Sequence, residues 1–198
     1  MTMMPVVTRW EPNARGRLEQ AALELFAEQG FEGTTVEDIA TRAGLTKRTF
    51  FRYFGDKREV LFAGGEEFQG LFVTGLAGAP ASATPMEAIA VTLEAVSGRF
   101  RDRHDRARRR QRIIVANAEL QERELVKLAS VAAALGAGLR ERGAAEPGAT
   151  ITAELAMVLF RTAFERWVAA PRPGDFPALV REAVDALRSV AAPERAVS

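Results

Sequence analysis

The 198-residue sequence predicts an all-α protein of about nine helices: an N-terminal three-helix unit built on a helix-turn-helix, then a larger C-terminal helical unit. Three observations predict it. Ala and Leu dominate while runs of β-branched residues are rare, which favours helix over strand. Apolar residues recur three and four positions apart along most of the chain. Gly, Pro and short polar residues interrupt that pattern at intervals of a helix or two.

Residues 1–13 read as a flexible N-terminal arm with two prolines. Leu18, Ala21, Ala22, Leu25 and Phe26 then mark a helix over 14–29 that Gly30 closes. Thr35 caps a short helix over 36–43, with Asp38 three residues on as its capping-box partner. Gly44 suits the left-handed exit of that helix, and Thr46 caps the next, over 47–54. Gly55 and Asp56 break the pattern. A fourth helix runs from about 56 to 76, loosened by Gly64, Gly65, Gly70 and Gly75. After a loop at 78–85 come helices over 85–103, 105–118 and 119–142. A turn-rich break at 143–149 precedes helices over 150–169 and 176–191, and residues 193–198 form a tail. The unit boundary falls inside the fourth helix, giving 14–60 and 61–192.

The composition excludes several classes. There is no cysteine, so no disulfide or thiolate site, which fits a reducing cytoplasm. The start lacks an apolar h-region followed by a cleavage site, so it does not read as a signal peptide. No run of about 18 apolar residues suits a membrane span. One histidine and no Glu-x-x-His leave no metal cluster, so the metal and cofactor expectation is none. No nucleophile–base pair or phosphate loop stands out, so the chain does not read as an enzyme. His104, alone in the chain, reads as an incidental surface residue.

Net charge is +1, but its distribution is uneven. Residues 11–38 hold seven acids against Arg15 and Arg17. Residues 42–58 hold six bases against Asp56. A nucleic-acid binder needs a basic face, not a basic protein. On the helix at 47–54, Phe50 and Phe54 lie four apart and share an inward face, joining Phe26, Phe31, Ile39, Ala40 and Leu45 in a small core. Lys47, Arg48, Phe51 and Arg52 fall outside. Lys and Arg donate to guanine O6 and N7, and a phenyl ring meets a thymine methyl. Thr35, Thr46, Thr49 and Tyr53 carry hydroxyls suited to phosphate, and Lys57 is a further phosphate candidate. A solvated basic helix is the bland alternative; cap, turn, core spacing and clustered hydroxyls together favour DNA.

Residues 14–62, with ALELFAEQGFEGTTVEDIATRAGLTKRTFFRYFGDKREVLF inside them, resemble the DNA-binding domain of the TetR (tetracycline-repressor-like) family. The resemblance covers about a quarter of the chain. It implies a cytoplasmic, homodimeric regulator, most often a repressor, that binds a palindromic operator in double-stranded DNA and answers a small-molecule effector. It also implies that Thr35, Thr49, Tyr53 and Lys57 hold phosphates, that Lys47, Arg48 and Phe51 face bases, and that Arg52 contacts either. Arg15 and Arg17 are candidates for the DNA backbone.

In such regulators a ligand binds within the C-terminal helices and the last two helices dimerise. Met157, Phe160, Phe164 and Trp167 form an apolar stripe, which reads as core or as pocket wall. The candidate ligand pocket is Met86, Ile89, Leu93, Phe100, Ile114, Met157, Phe160 and Phe164. The candidate dimer interface is Leu155, Val158, Leu159, Thr162, Phe176, Leu179, Val180, Ala183, Val184 and Leu187. Residues 99–112 hold eight arginines against two aspartates. That run has three readings: a solvated ion-paired face, an anion site, or extra DNA backbone contact. RRRQRIIVANAELQERELVKLA is also similar to a subgroup of these regulators that senses acyl-CoA, which makes a fatty-acyl or acyl-CoA effector the working expectation. The alternative is a ligand-independent DNA-binding or helical adaptor protein.

Overall fold

A computed structural model describes residues 13–172 and 174–191; of the expected arm at 1–13 all but Asn13, and the tail at 193–198, lie outside them. The described residues form ten α-helices and no strand. They divide into two compact units, Met1–Ala63 and Gly64–Ser198.

The first unit holds α1 (Ala14–Gln29), α2 (Val36–Arg42), α3 (Lys47–Tyr53) and the single turn α4 (Glu59–Phe62). Asn13 caps α1, its side chain accepting from Gly16 N–H at 3.0 Å. Thr35 and Asp38 close a complete capping box on α2: Thr35 N–H donates to Asp38 Oδ2 at 2.9 Å and Asp38 N–H to Thr35 Oγ1 at 3.1 Å. Gly44 takes φ 66°, letting Leu45 N–H reach back to Ala40 O at 2.8 Å. Thr46 then caps α3 through Thr49 N–H at 3.1 Å. Leu18, Phe26, Phe31, Ile39, Phe50 and Phe54 are buried together with Val60 and Leu61.

The expected fourth helix is two helices. Asp56 turns the chain into α4, its Oδ1 accepting from the N–H of Arg58 at 2.8 Å and of Glu59 at 3.0 Å. Ala63 is extended, at ψ 134°, and Gly64 takes φ 81°, a left-handed conformation that interrupts the helical ladder. The unit boundary therefore falls at this break.

The second unit holds α5 (Gly65–Ala77), α6 (Pro85–Gly98), α7 (His104–Val115), α8 (Ala118–Glu141), α9 (Gly148–Ala169) and α10 (Phe176–Ala191). A second capping box, Thr84 with Glu87, starts α6, and Pro85 occupies its first turn. That helix stops at Gly98, so residues 99–103 are turns where the sequence suggested more helix. Asn117 separates α7 from α8, its Nδ2 donating to Ile113 O at 2.6 Å. Glu146, between α8 and α9, accepts from Arg140 at 2.7 Å and from the Thr150 hydroxyl at 3.1 Å. One apolar core runs through this unit, drawn from α5, α6, α8, α9 and α10. Its centre is a cluster of rings: Phe68, Phe72, Phe100, Phe160, Phe164, Trp167 and Phe176.

Candidate nucleic-acid interface and the C-terminal core

On α3, Phe50 is fully buried and Phe54 is 4% exposed, their ring centroids 5.5 Å apart. Burying two phenyl rings stabilises the unit by about 1.5–3 kcal/mol each and fixes the rotation of the helix. The opposite face is therefore turned to solvent: Lys47, Arg48 and Arg52 are exposed, Phe51 is 50% exposed and Tyr53 40%. Arg48 has no partner among the described residues, and Lys47 has only a 4.0 Å approach to exposed Glu37. Both cations are free to donate elsewhere.

The hydroxyl candidates gather at two helix starts. Thr35 is exposed at the head of α2. Thr46 and Thr49 share a hydroxyl–hydroxyl bond of 3.0 Å at the head of α3. Arg52 lies against Tyr53: its guanidinium is 5.0 Å from the centroid of the Tyr53 ring, and Nη2 donates to Tyr53 Oη at 3.4 Å. Arg52 and Tyr53 thus form one stacked cationic pair.

Lys57 corrects the sequence reading. Its ammonium donates to Phe31 O at 2.8 Å and Thr34 O at 3.2 Å, and sits 4.3 Å from the centroid of the Phe31 ring. It ties down the loop between α1 and α2 instead of pointing at a phosphate. Arg15 is exposed and pairs with Glu19 at 3.3 Å, while Arg17 is half-buried in a shallow depression beside Asn13, Gln20 and Arg42. Sequence reasoning missed Arg42. Its guanidinium forms a two-pronged bridge to Glu28, at 3.1 and 2.8 Å, with Glu24 3.7 Å away. That bond lowers the Glu28 carboxyl below its ordinary range. The visible signal was a pair of acids four apart on α1, Glu24 and Glu28, facing a helix with one arginine.

In the second unit, seven of the eight pocket candidates meet in one cluster: Met86, Ile89, Leu93, Phe100, Met157, Phe160 and Phe164. Ile114 is buried on α7 outside it. They meet as packed core. The Phe100 centroid lies 6.1 Å from both Phe160 and Phe164, and Phe160 stacks on Phe164 at 5.8 Å.

The dimer candidates divide. Leu159, Phe176, Val180, Ala183 and Val184 are at most 7% exposed and already belong to the core of their own chain, which leaves a partner little area to bury. Long-range helix packing, invisible to periodicity, used that stripe up. Leu179 and Leu187 are half-buried against the same core. Leu155, Val158 and Thr162 remain along the outer face of α9, joined by Ile151, which is 54% exposed and was not anticipated.

His104 is not a surface residue. It is 2% exposed, with Nε2 3.0 Å from Trp167 O and the ring edge-on to the Trp167 indole at 4.9 Å. The arginine run spans turns and α7. Arg110 is paired with Glu124 at 2.6 Å, while Arg99, Arg101, Arg103, Arg109 and Arg112 are exposed with no acid partner among the described residues. No group of His, Asp and Glu among the described residues could hold a metal ion, and no helix among them is long and apolar enough to cross a membrane.

Residues 19–63 match the family described as bacterial regulatory proteins, tetR family. The chain is 42% identical over 88 residues to the HTH-type transcriptional regulator TcmR of Streptomyces glaucescens, a match covering 44% of this chain and 39% of that protein. The chain thus spans about two-fifths of that relative's length. The structure of the fatty acid degradation regulator FadR from Bacillus halodurans superposes with a TM-score of 0.61 at 22% identity, over 90% of this chain and 96% of that one. FadR from Bacillus subtilis in complex with stearoyl-CoA superposes with a TM-score of 0.63 at 22% identity, over 87% and 96%. At that identity the two likenesses establish the fold alone. The match over residues 19–63 and the shared all-helical fold agree: the N-terminal unit carries a helix-turn-helix region similar to that of the tetR family of bacterial regulatory proteins.

Proposed function

We propose that the chain is a homodimeric, ligand-responsive repressor that inserts α3 into the major groove of a palindromic operator and is released by a small apolar effector, a fatty acid or acyl-CoA. One observation carries the DNA reading. Phe50 anchors α3 so that Lys47, Arg48 and Phe51 are the side chains left to meet a base edge. Thr35, Thr46, Thr49 and Tyr53 flank them as phosphate donors, with Arg52 riding on Tyr53. The strip of exposed Ile151, Val158 and Thr162 with half-buried Leu155 on α9 is the dimer face that the packed α10 leaves over. Two recognition helices must then sit about 34–36 Å apart, one turn of DNA. An effector that binds the mismatched spacing more tightly empties the operator by population shift.

The ring cluster supports the effector reading as an apolar volume that a chain-like ligand enters by displacing side chains. The Bacillus subtilis relative holds stearoyl-CoA in the same fold. The packing of Phe100 against Phe160 and Phe164 favours a second reading, a ligand-independent DNA binder.

Selection of genomic fragments with the purified protein, followed by footprinting, tests the first. A short palindrome is expected. Lys47→Ala is expected to cost about 1–3 kcal/mol of specific binding and to relax preference at one base position. Binding that stays sequence-independent sinks the proposal. Loss of the footprint on adding an acyl-CoA separates it from the ligand-independent reading.

A further inference from the structure

Where α5, α7 and α8 meet, three charged side chains border the ring cluster. Glu124 on α8 places Oε2 2.6 Å from Arg110 Nη2 and Oε1 2.7 Å from Lys127 Nζ. All three are mostly buried, their side chains 18–22% exposed. Lys127 also sits 4.5 Å from the centroid of the Phe68 ring, and Phe68 meets Phe72, Phe160 and Phe100 edge-on, at 5.1, 5.8 and 6.5 Å. The Glu124 carboxylate thus bridges Arg110 and Lys127. The ammonium has three N–H donors, and Glu124 takes one.

The charges bear this out. Burial pushes the Glu124 carboxyl up, but Arg110, Lys127 and their hydrogen bonds outweigh it and hold it at about 2. Burial and the neighbouring Arg110 charge push the Lys127 ammonium down to about 8 against the pull of Glu124. Lys127 is under-compensated where it stands, and a second anion there would be held by charge-assisted bonds in a partly desolvated site. Apolar rings begin within one side chain of it.

We propose that Lys127, positioned by Glu124 and Arg110, is the headgroup-recognising residue for an amphiphilic carboxylate whose apolar chain enters the rings beginning at Phe68. This rests on the effector reading above and deepens it: the effector carries its negative charge on the carboxyl end of an alkyl chain. Glu124 occupies the position that a ligand carboxylate competes for, so removing its charge strengthens ligand binding.

The test is calorimetric titration of the full chain with dodecanoate, 1-dodecanol and dodecanoyl-CoA, below their micelle concentrations. Wild type is expected to bind dodecanoate at least tenfold more tightly than dodecanol. Lys127→Met keeps an unbranched side chain over Phe68 and should lose that discrimination. Glu124→Gln, where it folds, should bind dodecanoate severalfold more tightly than wild type. Equal binding of acid and alcohol overturns the headgroup assignment, as does undiminished dodecanoate binding by Lys127→Met; both leave the apolar-effector reading standing. Binding of dodecanoyl-CoA alone also overturns it and supports a thioester effector. Binding of none of the three overturns both.

Discussion

Both units rest on pairs of phenylalanines four residues apart, yet they use them in opposite ways. In the first unit Phe50 and Phe54 occupy one side of a seven-residue helix and leave its other side bare. In the second, Phe160 and Phe164 sit on a 22-residue helix surrounded by rings from α5, α10 and the turn after α6. A short helix has surface for one partner only, so burying one face dictates the other. A long helix inside a bundle meets several partners, and its faces are claimed by elements far away in sequence. The first arrangement leaves one face of a short helix exposed; the second makes a packed core.

The largest effect should separate neighbouring residues on α3. Phe50→Ala removes a fully buried ring and should cost about 3–5 kcal/mol, read as loss of the first unit's transition in urea unfolding. Phe51→Ala, at a half-exposed ring, should change stability by no more than about 0.5 kcal/mol yet weaken operator binding. Comparable destabilisation by the two would mean that α3 has no free face.

Next comes the charge cluster of the second unit. Glu124→Gln removes the charge that bridges Lys127 and Arg110 in a mostly buried site and should cost about 3 kcal/mol, the usual scale for breaking such a pair. The sign of the pH dependence follows from the depressed carboxyl. The folded value near 2 lies below the ordinary 4.5, so this stabilisation is complete above about 4.5 and drains away as pH falls toward 2. Glu124→Gln should therefore differ most from wild type at neutral pH and converge on it in acid. A gap between the two that stays constant from pH 7 to pH 2.5 would rule out the linkage.

What the sequence disclosed follows the same division. Caps and stops are local chemistry, so Thr35, Gly44, Thr46 and the inward pair Phe50 and Phe54 were readable in order. The break at Gly64 was visible only as a loosening, because whether a glycine bends a helix or ends it depends on the backbone around it. The apolar stripe of α10 was equally visible, but its partner was not: Phe176 and Val180 face their own chain. Lys57 was misjudged for the same reason. Nothing local says that a lysine will find the carbonyls of Phe31 and Thr34, more than twenty residues earlier.

That lysine gives a smaller but discriminating effect. Lys57→Met removes the charge-assisted bonds to the carbonyls of Phe31, Glu32 and Thr34 and should lower the first unit's stability by about 1.5–3 kcal/mol. The salt dependence of operator binding should keep its slope, since no phosphate contact is lost. Unchanged stability with a slope shallower by about one would return Lys57 to the phosphate clamps.

The smallest effect uses a device the units share. Thr35 and Thr84 each close a capping box, on α2 and on α6. Thr35→Ala and Thr84→Ala should each cost about 1 kcal/mol, the ordinary worth of a side-chain N-cap. Their consequences for DNA should part. Thr35 is exposed at the head of a helix beside α3, so its loss should weaken operator binding beyond what instability explains, and Thr35→Ser should restore it. Thr84 caps a helix whose buried side faces the apolar core of the other unit, so its loss should leave operator binding unchanged at temperatures where the protein is folded. If both alanine variants bind the operator equally well, Thr35 is a cap and nothing more, and the reading surface shrinks to α3.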